Sequence, residues 1–291
     1  FKIDSTDENL AKIKLGKMLY YDKRLSKNGT ISCNSCHNLD TYGVDNQPTS
    51  LGDDGKSRGG RNSPTSLNAF LHVAQFWDGR AKDVEEQAKG PILNPIEMGM
   101  PHADFVVDRI AAIKDYQVLY AKAFPAAGKM TYDNLTSAIG FFERSLITPS
   151  RFDKFLENDF EALNDKEKAG LRMFITLGCP TCHMGIGVGG GMYQKFGVHS
   201  DYWQLTKSQK IDLGIHDLSK NESDKFKFKV PSLRNVTKTH PYFHDGSVQD
   251  LKNSVVIMAK IQLNKDLTDA QADTLVSFLE TLTGEVPAYA K

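Results

Sequence analysis

The sequence predicts an all-α chain with long loops, organised as two similar units. Three observations predict it. Apolar residues recur at helical spacing behind recognisable capping boxes, strand-like alternation is scarce, and a set of short motifs returns once at a constant offset. Length agrees, since 291 residues with 40% hydrophobic content suffice for two domains with proper cores.

Taken in order, Ser5-Thr6-Asp7-Glu8 reads as a capping box, and Leu10, Ile13, Leu15, Met18 and Leu19 follow at helical spacing. That first helix leads to Cys33-Asn34-Ser35-Cys36-His37. A second box, Asn164-Asp165-Lys166-Glu167, opens a helix that leads to Cys179-Pro180-Thr181-Cys182-His183. The parallel continues: Pro64-Thr65-Ser66-Leu67-Asn68 and Phe76-Trp77-Asp78-Gly79 return as Pro231-Ser232-Leu233-Arg234-Asn235 and Phe243-His244-Asp245-Gly246, and Asp83-Val84 matches Asp250-Leu251. Residues 131–143 likewise resemble residues 268–280. Each half therefore reads as helix, motif, loops and closing amphipathic helix, an internal duplication visible in the one sequence. The polar, acidic stretch 150–165 is the expected connector, giving units 1–160 and 161–291. The glycine-rich stretches 52–60 and 185–191 read as loops wrapping a cofactor.

Two cysteines separated by two residues, with a histidine directly after, form the c-type haem attachment signature: the thiols bond the porphyrin and the histidine becomes an axial iron ligand. A redox dithiol or half of a zinc site is the competing reading of one copy. Two copies use all four cysteines and leave none for a disulfide or a zinc tetrad. The sequence thus predicts two covalent haems, one on Cys33, Cys36 and His37 and one on Cys179, Cys182 and His183, each in a cytochrome c-like domain.

The second axial position decides what each iron does. A methionine there gives a closed, high-potential electron-transfer haem, whereas a replaceable position lets a small molecule react. Met258 precedes the closing helix of the second half, where such a methionine belongs; a core methionine is the plain alternative. Carried back by the repeat offset, Met258 lands on Pro91, which cannot bind iron. Gln87 and Glu97 lie near that place, and an amide with a carboxylate beside an open iron suits proton transfer to and from a bound peroxide. They read equally as two solvated side chains on a loop. Trp77 stands where the second half has His244, and reads either as an aromatic on an electron path or as a packing anchor.

Charge excludes some partners. With 36 basic and 36 acidic residues, nothing points to nucleic acid or to an anionic membrane surface, and no run of about eighteen apolar residues predicts a membrane span. The start, Phe1-Lys2-Ile3-Asp4, reads as a processed or trimmed form. Haem is attached to such motifs outside the bacterial cytoplasm, so the expected setting is the periplasm.

These residues carry a resemblance. Cys33 to His37, Arg61-Asn62-Ser63-Pro64-Thr65, Gln75-Phe76-Trp77-Asp78-Gly79-Arg80, Gln87-Ala88-Lys89-Gly90-Pro91, Cys179 to His183, Pro241-Tyr242-Phe243-His244-Asp245-Gly246 and Met258 are similar to the bacterial diheme cytochrome c peroxidases over essentially the whole chain. The resemblance implies a low-potential peroxidatic haem in the N-terminal half and a high-potential electron-entry haem in the C-terminal half. It implies Met258 as axial ligand, Trp77 between the haems, and Gln87 and Glu97 at the peroxide site. It also implies a calcium ion held by Asn62, Thr239 and Pro241, where hard oxygen ligands suit that ion. The implied reaction reduces hydrogen peroxide to water with electrons from a small monohaem cytochrome c or a cupredoxin, and the implied assembly is a homodimer.

One departure matters. Many members carry a histidine in a Ser-Ile-Gly-His stretch that closes the resting peroxidatic iron, but here the stretch is Ser50-Leu51-Gly52-Asp53, with no histidine from Asn38 to Leu71. His72 reads as a packed or surface residue rather than a substitute. The expectation is a first haem that is five-coordinate or water-bound at rest and needs no reductive activation. Two other readings remain, a diheme electron carrier and a diheme oxidase that modifies a partner protein, like the enzyme that matures methylamine dehydrogenase; in that enzyme a tyrosine replaces the axial methionine.

Overall fold

A computed structural model describes residues 4–291; the start of the chain, residues 1–3, lies outside the described residues. Helices dominate. In the first half they are α1 (Asp7–Tyr21), α2 (Cys33–Cys36), α3 (Val84–Leu93), α4 (Ala103–Ala111), α5 (Lys114–Ala123) and α6 (Tyr132–Arg144). The connector holds α7 (Arg151–Leu156), and the second half has α8 (Asp165–Leu177), α9 (Tyr202–Thr206), α10 (His216–Ser219), α11 (Leu251–Leu263) and α12 (Asp269–Glu280). Two short antiparallel strands, β1 (Tyr193–Lys195) and β2 (Lys227–Lys229), pair Tyr193 with Lys229 and Lys195 with Lys227.

The first cap sits one residue later than the sequence suggests: Thr6, not Ser5, accepts from the Asn9 N–H at 3.2 Å. The second box forms as expected, with Asn164 accepting from the Glu167 N–H at 3.0 Å and the Glu167 carboxylate receiving the Asn164 N–H at 2.8 Å. The connector is more ordered than its polarity implies. Ser150 and Asp153 cap α7, and Arg151 and Arg234 bind Glu167 and Asp153.

In each half the leading helix crosses the closing helix, α1 on α6 and α8 on α12, and a glycine lets the backbones meet. A Cβ on Gly16 would lie 1.9 Å from the Ala138 carbonyl oxygen, and one on Gly170 would lie 2.3 Å from that of Thr274. Around the first crossing Leu15, Leu19, Tyr20, Ile139 and Phe142 are buried. Each such side chain contributes about 1.5–3 kcal/mol. The second crossing buries Phe174, Leu275, Phe278 and Leu279.

Matched loops then show matched backbone. Asn68 and Asn235 have φ of 60° and 61°, and Phe76 and Phe243 have 64° and 71°. Isolated bridges join Gln75 to Ala81 and Tyr242 to Val248. Asn68 and Asn235 both donate to the Thr148 hydroxyl, at 2.8 and 2.9 Å, fastening the halves at a buried polar knot. The last turn, Ala288–Ala290, returns to the first half, where the Tyr21 hydroxyl donates to the Ala290 carbonyl at 2.9 Å.

Candidate haem sites and active site

Both attachment motifs fold as a single turn. The His37 N–H donates to the Cys33 carbonyl at 2.9 Å, and the His183 N–H donates to that of Cys179 at 3.0 Å. That turn carries two thiols and an imidazole on one short segment. Tyr20, from buried α1, donates to the His37 carbonyl at 2.6 Å and so ties the first motif to the helical core. His37 Nδ1 meets the Pro64 carbonyl at 2.9 Å, which orients the ring and leaves Nε2 for a metal. In the second half the Pro231 carbonyl lies against His183 without full hydrogen-bond geometry.

Burial pushes the Cys36 and Cys179 thiols up to about 11, and Cys33 rises as well. Forming a thioether consumes the thiol and leaves no charge to bury at these positions. Among the described residues no cluster of three or more His, Cys, Asp or Glu is arranged to hold a metal ion. Thioether bonds to a haem suit these half-buried thiols, spaced two residues apart with a histidine directly after.

The second motif opens on a largely apolar cavity of about 430 Å³ whose walls include Cys179, Cys182, His183, Met258, Trp77, His244 and Lys229. Met258 lies on α11, ahead of the closing helix α12, and it shares this cavity with His183. The residues present thus fit a haem with a histidine and a thioether. Trp77 lies at the seam of the halves. Its Nε1–H donates to the Asn62 carbonyl at 2.9 Å, and its ring meets that of His244 edge-on at 6.4 Å.

The cavity of the first half, about 410 Å³, is lined by Phe76, Arg80, Glu86, Lys89, Pro91, Asn94 and Glu97. Pro91 and Glu97 therefore share one site. Burial raises the Glu97 carboxyl, while Arg80 and Asn94 pull it back down. Glu97 also bears on the Cys36 thiol, so this cavity adjoins the first motif. Gln87 is half-buried on α3 but does not line this cavity, whereas its neighbour Glu86 does.

Asp53, where the resembling family has a histidine, is 6% exposed. Its carboxylate accepts from the Asn28 N–H at 2.8 Å and the Thr30 hydroxyl at 2.6 Å, and its own N–H donates to the Glu97 carbonyl at 2.7 Å. Those bonds hold its pKa low and commit its oxygens. His72 is packed, as expected, with Nδ1 3.1 Å from Lys229 Nζ.

At the seam Asn62 is buried. Its Nδ2 donates to the Gln47 and Pro48 carbonyls at 2.9 and 3.3 Å, and its N–H donates to that of His244 at 2.7 Å. Asn46 donates to the His240 carbonyl at 2.7 Å, which draws the loop bearing Thr239 and Pro241 to the same seam. Arg61 crosses it too, reaching Asp78 at 2.6 Å and Asp212 at 2.7 Å.

The sequence reading missed three features. Arg80 is the cation beside Glu97. Lys229 is buried with His72. Glu143 on α6 is 7% exposed and bears on Cys33, with burial and Glu85 pushing it up to about 8. Only the Phe-Trp-Asp-Gly-Arg run placed Arg80 near the site; no sequence signal marked the other two.

The family model of the di-haem cytochrome c peroxidases matches residues 10–161. A cytochrome c551 peroxidase of Nitrosomonas europaea is 46% identical over 98% of this chain and 83% of its own length. One from Pseudomonas aeruginosa is 45% identical over 94% and 79%. The crystal structure of a MauG-like protein associated with microbial copper homeostasis superposes with a TM-score of 0.82 at 29% identity, covering 94% of this chain and 90% of that one. A family model over half the sequence and close relatives over nearly all of it agree with the paired cavities, and the chain belongs to the di-haem cytochrome c peroxidases, oxidoreductases that act on peroxide.

Proposed function

We propose that this peroxidase works in the periplasm, reducing hydrogen peroxide to water with electrons from a small monohaem cytochrome c or cupredoxin. Peroxide is handled beside His37, and electrons enter beside His183 and Met258. One observation carries the division: Met258 shares the cavity of the second motif with His183, while its counterpart by the repeat, Pro91, shares a cavity with Glu97. The matched φ angles, glycine crossings and bridges support descent of both halves from one duplicated unit.

Bound at these motifs, the haems would supply an iron that takes peroxide and the electrons its reduction consumes. The chain's own residues supply the rest. Pro64 fixes the His37 ring through Nδ1. Glu97, with its carboxyl raised by burial, accepts a proton from one peroxide oxygen and returns it to the other, while Arg80 limits that rise. Gln87 precedes Pro91 by one helical turn on α3, outside the lining of that cavity, and its part in orienting the substrate is carried by the family resemblance alone. Trp77 fills the seam between the two haem sites. Asn62 Nδ2 is committed to backbone carbonyls, which leaves its Oδ1 to join the Thr239 and Pro241 oxygens around a calcium ion.

The protein needs no reductive activation. Asp53 is fastened to Asn28 and Thr30 instead of reaching the first haem site, and His72 is engaged with Lys229. A purely electron-carrying role would need a protein ligand there, and Met258 disfavours the partner-modifying oxidase, in which a tyrosine takes that place. The test is the resting ferric protein. Its spectrum should contain one low-spin histidine–methionine haem and one five-coordinate or water-bound haem, and cyanide should titrate one haem per chain. Two low-spin haems, each with two protein ligands, would sink the proposal.

A further inference from the structure

The cavity of the second motif contains a charge that the mechanism above does not use. Lys229, the last residue of β2, is 5% exposed and lines the cavity together with Trp77 and Pro231. Its backbone is held rigidly: its N–H donates to the Trp77 carbonyl at 2.8 Å, and it pairs with Tyr193 in the β1–β2 ribbon. Its ammonium reaches His72 Nδ1 at 3.1 Å, and no carboxylate among the described residues bears on it. Burial alone pulls it down to about 8.

His72 comes from the other half of the chain. With its Nδ1 facing an ammonium, Nδ1 must be the acceptor and the ring proton must sit on Nε2, which has no partner of its own. The imidazole therefore aims Lys229 without neutralising it. A buried cation with an acceptor but no anion, on the wall of a cavity whose other walls hold the attachment cysteines, calls for an anionic group from the occupant.

We propose that Lys229, aimed by His72, receives a propionate carboxylate of the haem attached at Cys179 and Cys182. The contact is an ammonium–carboxylate hydrogen bond made across the seam. It neutralises the carboxylate charge near the iron and so raises the potential of the electron-entry haem. The inference rests on the two-haem assignment, which haem content checks independently.

The test uses the protein with both haems bound. In Lys229→Met the midpoint potential of the second haem should fall and its propionate bending band in the resonance Raman spectrum should move, while the first haem keeps its potential. Lys229→Arg should hold the potential and move the band, because a guanidinium replaces the ammonium. His72→Phe keeps the ring volume and the charge; it should move the band with little change in potential. A Lys229→Met protein carrying two haems with both readouts unchanged overturns the proposal. If that variant does not accumulate, an unmoved band in Lys229→Arg overturns it equally, and an unmoved band in His72→Phe removes His72 as the positioning residue.

Discussion

Glu97→Gln is the most direct probe of the proposed chemistry, because the structure separates the side chain's role from its backbone's. The Glu97 N–H donates to the Asn94 carbonyl at 3.0 Å and its carbonyl receives the Asp53 N–H at 2.7 Å, so an isosteric amide leaves the turn in place. What disappears is a group able to take and return a proton. A positioned acid–base residue is worth about 10²–10⁴-fold. At 1.36 kcal/mol per decade that is about 3–5 kcal/mol of barrier. Peroxide turnover with a reduced donor should fall by that factor. The spectrum of the second haem should not change, since Glu97 and Met258 line separate cavities. The pH profile gives a second reading. Glu97 must be ionised to accept the proton, so activity is lost as pH falls through its pKa, and burial places that acid limb above the ordinary 4.5. Arg80 pulls the pKa down, so Arg80→Gln should move the limb upward. Turnover within twofold of the parent, or a limb that stays or moves down in Arg80→Gln, refutes the reasoning.

Met258→Ala removes the thioether from the cavity of the second motif; redox titration should find a lower potential for that haem, and cyanide should now bind there as well. Asp53→Ala deletes the acceptor for the Asn28 N–H and the Thr30 hydroxyl and should cost about 2–4 kcal/mol in urea denaturation. Because the folded pKa of Asp53 is depressed below 3.8, its contribution is present above that pH and is lost as pH falls further; the parent and variant stabilities should converge in acid. Gly16→Ala sets a Cβ 1.9 Å from the Ala138 carbonyl oxygen, where backbone must move, and should lower stability by about 1–3 kcal/mol in thermal unfolding.

Features written locally in the chain were legible. The two attachment turns, the Asn164 box and the closing helices follow from spacing and capping chemistry, and the repeat alone paired Met258 with Pro91. Features made by distant segments were not. Lys229 and His72 are far apart in sequence; nothing in the chain marks Lys229, and His72 reads only as a packed or surface residue. Asp53 marked a missing histidine, but its bonds to Asn28 and Thr30 depend on how two loops fold together. Gln87 and Glu86 are neighbours, and only the rotation of α3 decides that Glu86 lines the Glu97 cavity. The last turn of the chain carries no signal that it packs on α1.

The asymmetry between the two sites comes down to how one helix ends. In the second half α11 runs unbroken through Met258 to Leu263 and carries a thioether into its cavity. In the first half the matching place is Pro91, whose missing N–H leaves the Gln87 carbonyl without its helical donor and weakens α3 two residues before its end. The chain then doubles back. Met98 donates to the Pro91 carbonyl at 3.2 Å, Gly99 to that of Asn94 at 2.9 Å and Met100 to that of Ile92 at 2.9 Å. This return carries Glu97 to the cavity that Pro91 lines. Pro91, standing where the other half has Met258, thus also shapes the turn that brings in a carboxylate. A simple exchange of Pro91 for methionine would not make the first site a copy of the second, because the turn bonds would still hold Glu97 beside it.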